Sequence, residues 1–188
     1  MFHVVGGEGL KALKKAPAIV IAEGYATADS ISQALGYATI AAFDSGNLLN
    51  VAQQLREIFP EKPFVIAGDN DAHLELTEGK NPGKEKALAA AKAVDGTAIF
   101  PIFAPGEQGY PEKLVPPVPS IARAEGLTVE QQNAIANMKQ YTDFNDLLTK
   151  SVLGRYGLEH QVKIEVNMMI KSQKKHFEVR DSQEQNYL

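Results

Sequence analysis

The sequence predicts an α/β fold with a mainly parallel four-stranded sheet flanked by helices and a C-terminal helical extension. Apolar segments at 18–23, 38–43, 64–68 and 97–103 alternate with segments of helical character. Such alternation is typical of βαβ units with right-handed crossovers and parallel strands. Three of the four segments run directly into acidic residues. In a parallel sheet these carboxylates gather at the carboxyl edge, where open α/β sheets bind ligands.

The helices between these strands are predicted from their boundary residues. The run 26–35 ends at Gly36, and the run 48–58 stops before a proline, as helices commonly do. The third helix begins with Asn81 as N-cap, has a proline at its first position and continues through 85–93. Asparagine followed by proline is a favoured helix start.

The C-terminal half is less regular. Residues 104–127 are predicted to form a Pro-rich loop region, since five prolines and two glycines fall within 104–120. A capping box predicts a helix over 128–139, and a further helix is expected at about 145–153.

These features divide the chain into a lead-in segment, a main domain and an extension. The lead-in, 1–17, is expected to be loop with half a turn of helix, and the main domain spans 18–153. The extension, 154–188, is expected to contain a helix over 158–170 and a poorly ordered polar tail from Lys171.

Composition limits the classes of function. The 188 residues carry a net charge of -4 with a pI near 5.6, which disfavours broad electrostatic binding to nucleic acid. Binding to nucleic acid would therefore require a local basic contact or a basic neighbouring domain. The absence of cysteine excludes disulfides and cysteine-based zinc modules. With no secretory signal and no apolar run long enough to span a bilayer, a cytoplasmic location without membrane partners is expected.

The acidic pair after the third strand is a candidate metal site. Asp69 and Asp71 stand two residues apart, so an extended backbone would point both side chains to one side. Mg²⁺ commonly takes one or two carboxylates together with phosphate oxygens. An ordinary polar turn is the alternative interpretation.

Glu23 and Asp44 end the first two strands. A carboxylate at Glu23 can complete a metal site or act as a general base; its alternative is a solvated strand end or helix cap. Asp44 precedes Ser-Gly-Asn, and this context favours a capping or turn role at least as strongly as metal binding.

The helix start at Asn81 is a candidate phosphate site. Open amide groups near Gly83, the positive end of the helix dipole and Lys84 together suit a phosphate. A helix start without a ligand is the alternative. His73, in a polar loop expected over 73–80, is interpreted as solvated.

Other carboxylate-bearing folds match less well. A haloacid-dehalogenase-like phosphatase has its acidic pair at the first strand, and a response-regulator receiver needs two acids there. A P-loop motif is also missing.

Four ordered phrases resemble the Toprim domain of bacterial-type primases, topoisomerases and some nucleases. They are Glu-Gly-Tyr-Ala-Thr-Ala at 23–28, Gly-Asp-Asn-Asp at 68–71, Asn-Pro-Gly-Lys-Glu-Lys-Ala at 81–87 and Asp-Phe-Asn-Asp-Leu-Leu at 143–148.

The closer resemblance is to the Toprim domain of primases carried by conjugative plasmids and phages. Phrases similar to Ala-Ala-Phe-Asp-Ser-Gly-Asn-Leu at 41–48 and Phe-Ala-Pro-Gly-Glu at 103–107 occur there. The resemblance extends over about residues 4–150 and implies a Rossmann-like sheet.

The resemblance implies phosphoryl transfer that depends on Mg²⁺, with Mn²⁺ as an alternative ion. Glu23 would be the acid/base or a metal-associated carboxylate, and Asp69 and Asp71 would be metal ligands. Asp143 or Asp146 would be an auxiliary acid. In a primase the metals would bind the triphosphate of an incoming nucleotide and activate the primer 3′-hydroxyl on a DNA template.

Primases of this kind also need a zinc-binding module and a basic subdomain ahead of the Toprim domain, and this chain has neither. It is therefore interpreted as a fragment of a larger primase or as a stand-alone Toprim domain. As a fragment it is expected to bind metal yet to polymerise nothing alone. A Toprim nuclease, a topoisomerase-like DNA cleavage domain and a non-catalytic binding module are the alternatives.

Overall fold

The computed structural model describes residues 1–118, 123 and 125–185. Its described part contains a five-stranded sheet in the order β1-β3-β2-β4-β5. The strands are β1 His3–Val5, β2 Ile19–Ala22, β3 Thr39–Ala41, β4 Phe64–Ala67 and β5 Thr97–Ile99. β1 pairs antiparallel with β3, and the remaining pairs are parallel. The α/β class and the mainly parallel sheet are thus confirmed.

The predicted count of four strands was wrong, because β1 lies in the segment expected to be a lead-in loop. His3 pairs with Ala41 and Val5 with Thr39, which makes β1 an edge strand. A three-residue strand is too short to show an alternating apolar pattern, and β1 therefore has no clear signature in the sequence. The half turn expected near Lys11 is a full helix.

Eight α-helices surround the sheet in the described part of the chain. They are α1 Gly9–Lys15, α2 Tyr25–Leu35, α3 Leu48–Ile58, α4 Ala72–Glu78, α5 Pro82–Ala93, α6 Val129–Ala136, α7 Phe144–Thr149 and α8 Gly154–Gln185.

Several boundaries differ from the predicted ones. α4 occupies most of the expected polar loop 73–80, because its first turn is anchored on the carbonyl of Asp71. α6 and α7 end earlier than expected, and β5 ends at Ile99 rather than at 103. The capping box at Thr128 is present.

The central strands are buried on both faces, which is usual for parallel sheets. Along β2, Val20 and Ala22 pack into one apolar layer, whereas Ile19 and Ile21 pack into the other. The first layer includes residues of α2, α7 and α8, and the second includes residues of α1, α3 and α5.

α8 continues the core beyond the sheet. Leu158, Val162 and Val166 are buried against the first layer at a helical spacing of four. The helix runs on to Gln185, well beyond the expected end at residue 170, and the poor order expected from Lys171 onward stays a prediction. None of the described helices is long and apolar enough to span a membrane.

The Pro-rich region is anchored by Glu107. This buried carboxylate accepts hydrogen bonds from Ser151 Oγ at 2.5 Å, the Val152 N–H at 2.7 Å and the Ala104 N–H at 3.1 Å. These bonds join the region to the turn before α8. Residues 119–122 and 124 of the expected loop lie outside the described residues. The proposed division of the chain into three segments stays a prediction.

Candidate metal centre at the carboxyl edge of the sheet

The strand order brings the acidic strand ends together. β2 lies between β3 and β4, with Ala22 paired to both Ala41 and Ala67. Glu23 therefore follows the central strand and has the residues after β3 on one side and Asp69 on the other.

Asp69 is the most perturbed acid of this edge. Its Oδ1 atom is buried and has no hydrogen-bond partner within the described part of the chain. Burial is the main cause that raises its pKa to about 7, and the charges of Glu23, Asp143, Asp71 and Asp146 raise it further. A buried carboxylate with no partner is costly in its charged form, and a bound cation would reverse that cost.

Glu23 is perturbed in the same direction. Burial raises its pKa first, followed by the charge of Asp71, with smaller contributions from Asp44 and Asp143. A hydrogen bond with the backbone of Ser45 partly opposes the shift. The neighbouring carboxylates thus disfavour the ionisation of Glu23 and Asp69, an effect that a bound cation would offset.

Asp71 is oriented by the start of α5. Its Oδ2 accepts a hydrogen bond from the Gly83 N–H at 2.9 Å. A Cβ atom on Gly83 would lie 2.8 Å from the Asp69 carbonyl oxygen and 2.9 Å from Asp71 Oδ2. The helix can approach the acidic turn this closely only because residue 83 is glycine.

Asn81 clamps the same turn. Asn81 is buried, with only 4% of its surface exposed. Its Oδ1 accepts from the N–H groups of Asp71 at 3.0 Å and Lys84 at 3.2 Å. Its Nδ2 donates to Asn70 Oδ1 and Glu75 Oε2, both at 3.0 Å. The helix cap at Asn81 was predicted, but its role in fixing Asp71 was missed.

The first turn of α5 does not offer the open amides that were expected. Pro82 has no N–H, the Gly83 N–H binds Asp71, and the Lys84 N–H binds Asn81. Gly83 therefore serves the carboxylate in this structure. The Lys84 side chain is exposed, and its contact with a phosphate stays a prediction.

The second acidic pair is fully engaged in hydrogen bonds. Asp143 accepts from Thr27 Oγ1 at 2.8 Å and from the Asp146 N–H at 2.6 Å. Asp146 accepts from the Thr142 N–H at 3.0 Å and pairs with Lys150 Nζ at 2.6 Å. All four carboxylate oxygens thus have partners, so this pair is suited to positioning a loop rather than to receiving a ligand.

That loop in turn supports the first acidic pair. The Asn70 N–H, between Asp69 and Asp71, donates to the Thr142 carbonyl oxygen at 2.8 Å. The loop of Asp143 and Asp146 is thus linked by its backbone to the turn of the first pair, and the charges of both residues contribute to the raised pKa of Asp69.

Asp44 and His73 are placed differently from each other. Asp44 is exposed and caps the short 3₁₀ turn Ser45–Asn47 by accepting a hydrogen bond from the Gly46 N–H at 2.6 Å. This contact agrees with the capping role that was weighed against metal binding for Asp44. His73 was expected to be solvated, but it is partly buried, and its Nδ1 has no partner within the described residues.

The residues present fit a hard cation that completes its shell with water and phosphate oxygens. Among the described residues, no group of three or more histidine, aspartate and glutamate side chains is arranged to hold an ion alone. Mg²⁺ usually takes only one or two protein carboxylates. The unpartnered Asp69 oxygen and the oriented Asp71 supply that number.

A cavity of about 410 Å³ lies elsewhere, between the end of β5 and α8. Its lining includes Phe100, Ile102 and Ile164. None of the acidic strand-end residues lines it, so it is not part of the candidate centre.

Fold and site together define an α/β domain with an acidic, oxygen-rich centre at the carboxyl edge of its sheet. Residues 18–109 match the family model described as the Toprim domain. This part of the chain belongs to the Toprim family, which confirms the resemblance inferred from the phrases around Glu23 and Asp69.

Two curated proteins from Escherichia coli, both named DNA primase TraC, are similar to the chain. One is 48% identical over 197 aligned residues, which cover 90% of this chain and 18% of the relative. The other is 45% identical over 203 residues, covering 93% of this chain and 14% of the relative. The chain thus spans less than a fifth of either relative. No solved structure matches it.

Proposed function

We propose that the chain is the catalytic Toprim domain of a DNA primase, where it carries out Mg²⁺-dependent nucleotidyl transfer during RNA primer synthesis. Mn²⁺ is proposed as an alternative ion. The observation that carries the proposal is the buried, unpartnered Asp69 oxygen beside Glu23. The similarity to two proteins named DNA primase supports the choice of reaction.

Asp69 and Asp71 are the proposed metal ligands. Asp71 is already held by Gly83 and Asn81, so little side-chain freedom is lost when an ion binds to it. When bound, Mg²⁺ would neutralise phosphate charge and favour ionisation of an attacking hydroxyl.

Glu23 is the proposed acid/base. The pKa of Glu23 is raised and therefore lies closer to neutral pH. A carboxylate takes up and releases a proton most effectively when its pKa is close to the working pH. In this role Glu23 would accept the proton of the primer 3′-hydroxyl. The exposed Lys84 is proposed to contact the triphosphate as a point charge, without the two-pronged geometry of arginine.

The rest of the parent protein would supply the remaining requirements. A net charge of -4 gives this chain no broad attraction for DNA. We propose that a zinc-binding module and a basic subdomain elsewhere in a plasmid-borne conjugation primase hold the template. The proposed location is cytoplasmic.

Calorimetric titration of the 188-residue chain with Mg²⁺ tests the site. Saturable binding is expected for the unsubstituted chain, with loss of binding in Asp69→Asn and Asp71→Asn. Asp95→Asn is the matched control, because Asp95 is exposed, precedes β5 at the opposite edge of the sheet and has a φ of 48° that asparagine tolerates. Equal binding in all four proteins would refute the site.

A nicking assay separates the primase proposal from a nuclease. The chain is incubated with supercoiled plasmid and Mg²⁺, with Glu23→Gln as the comparison. The expected result is intact plasmid for both proteins. Nicking by the unsubstituted chain that is lost in Glu23→Gln would contradict the primase assignment.

A further inference from the structure

Three exposed aromatic rings lie together at the carboxyl edge of the sheet. The His3 ring centroid is 5.7 Å from that of Tyr25 and 6.4 Å from that of Phe43, with ring planes 40° apart in both pairs. Tyr25 is 51% exposed and Phe43 54% exposed. We call these three residues the aromatic cluster. Large rings this open to solvent are not explained by core packing.

The cluster adjoins the candidate metal centre. Tyr25 is the first residue of α2, two positions after Glu23. The Phe43 N–H donates to the Glu23 carbonyl oxygen at 2.7 Å, and Phe43 directly precedes Asp44. A ligand that reaches Glu23 from the solvent side would therefore meet these rings.

The N-terminal segment is fixed beside them. Asn47 Nδ2 donates to the carbonyl oxygens of Met1 at 2.6 Å and Ala42 at 2.8 Å. Together with the pairing of His3 and Ala41, these bonds hold the His3 ring next to Phe43. The cluster is preorganised by backbone contacts on both sides.

Phe43 has a strained backbone. Its φ is 68°, in the left-handed region that bulky residues rarely adopt. Such strain persists where the surrounding structure imposes it, and it is concentrated at functional sites. The ring that this conformation presents is more than half exposed, so burial does not repay the strain.

We propose that the aromatic cluster binds an unpaired nucleobase by stacking, an inference that rests on the proposed function of the neighbouring centre. Every nucleobase has a flat π-face, and stacking on exposed aromatic side chains is a common means of holding unpaired bases. A base held there would place its phosphate near Glu23 and Asp69. The base belongs either to single-stranded template or to an incoming nucleotide, and the ligands used below distinguish these sources.

The chain offers a selective reporter because it has no tryptophan. In Tyr25→Trp the new indole reports on the cluster alone. It is titrated in Mg²⁺ with three probes: short oligothymidylate, an abasic oligonucleotide of equal length, and a free nucleoside triphosphate. Saturable quenching by oligothymidylate but not by the abasic strand assigns the base to single-stranded DNA. Saturable quenching by the nucleoside triphosphate assigns it to the incoming nucleotide. Either result supports the proposal.

Tyr156→Trp is the matched control. Tyr156 is 79% exposed on α8 and stacks on His160 with centroids 5.9 Å apart. It thus reproduces an exposed tyrosine beside a histidine outside the aromatic cluster. Its indole should show no saturable response. Quenching of equal size and midpoint in both variants, or equal quenching by the abasic and base-bearing strands with none by the nucleotide, would overturn the proposal.

Phe43→Gly in the Tyr25→Trp background provides a second test. Glycine adopts a positive φ without strain, so the thermal midpoint should not fall. The affinity for the base-bearing probe should fall on the order of tenfold, as expected for the loss of one stacking partner. Unchanged affinity would contradict the proposal.

The proposed function and this inference can fail separately. Absence of Mg²⁺ binding by the unsubstituted chain refutes the metal centre, whereas the fluorescence titration repeated without Mg²⁺ still reports on the cluster. Mg²⁺ binding with no base-dependent quenching refutes the cluster alone.

Discussion

Two acidic pairs in this chain have opposite surroundings. The oxygens of Asp143 and Asp146 all have hydrogen-bond or ion-pair partners. Asp69, in contrast, has a buried oxygen without a partner within the described residues and a pKa raised to about 7. Both pairs belong to short acidic motifs of the sequence, yet the fold supplies partners to every oxygen of one pair and leaves an oxygen of the other without a partner within the described residues. The comparison indicates that an acid suited to positioning differs from an acid suited to ligand binding in its hydrogen-bond and ion-pair partners, rather than in its residue type.

The largest effect is expected where the unsatisfied pair is held in place. Asn81→Ala removes four hydrogen bonds and leaves the Asp71 N–H without its acceptor. A loss of about 3–4 kcal/mol in the free energy of unfolding is expected, measured by urea denaturation. Asn47→Ala, which removes bonds to Met1 and Ala42 at the other side of the centre, should cost about half as much. An equal or larger cost at Asn47 would contradict the clamp assigned to Asn81.

The satisfied pair should be needed for stability. Asp146→Ala removes a buried acceptor for the Thr142 N–H and the partner of Lys150. It is expected to lower the free energy of unfolding by about 2–3 kcal/mol. Asp29→Ala serves as the control, because the hydrogen bond that Asp29 accepts from Gln33 Nε2 is exposed. A neutral Asp146→Ala would remove the distinction between the pairs.

Asp69 should behave in the opposite way in the metal-free chain. Its folded-state pKa lies above its unfolded value of 3.8, so the folded state binds the proton more tightly. Stability is therefore lost as pH rises from about 4 to about 7. Asp69→Asn removes this cost and should raise the free energy of unfolding on the order of 2 kcal/mol near pH 8, with no gain near pH 4.

Urea denaturation at both pH values in the presence of a chelator checks this expectation, with Asp95→Asn as the control. A loss of stability in Asp69→Asn near pH 8 would show that the carboxylate has favourable partners in the fold. That outcome would make the two pairs alike.

The smallest effect is expected at the exposed acid of the same edge. Asp44→Ala removes one cap hydrogen bond, from the Gly46 N–H, and should cost about 0.5–1 kcal/mol. Asp44→Asn, which keeps a capping side chain, should restore most of it. Both are measured by thermal unfolding, and a cost above that of Asp146→Ala would contradict the assigned order.

The sequence was sufficient where local signals decide the structure. The helices Tyr25–Leu35 and Leu48–Ile58 were predicted within a residue, and the caps at Asn81 and Thr128 are present. Glycine, proline and capping side chains act over a few residues, so such boundaries can be read directly. The acidic strand ends were also predictable, because parallel strands share a carboxyl edge.

What the sequence could not show depends on distant contacts. Thr27 and Asp143 are 116 positions apart, so their bond, which engages Asp143, has no local signature. The second role of Asn81, as a clamp on Asp71, is likewise set by how α5 approaches the sheet. The strand at His3–Val5 is defined by its pairing with β3 rather than by its own pattern.

The most direct test of the central claim is the rise in thermal midpoint that Mg²⁺ produces near pH 8, compared between Asp69→Asn and Asp143→Asn. A ligand that binds only the folded state stabilises it by about 2.7 kcal/mol at a hundredfold excess over its dissociation constant. The account predicts that Asp69→Asn abolishes the rise, whereas Asp143→Asn, whose asparagine still caps α7, retains it. Retention in Asp69→Asn with loss in Asp143→Asn would contradict it.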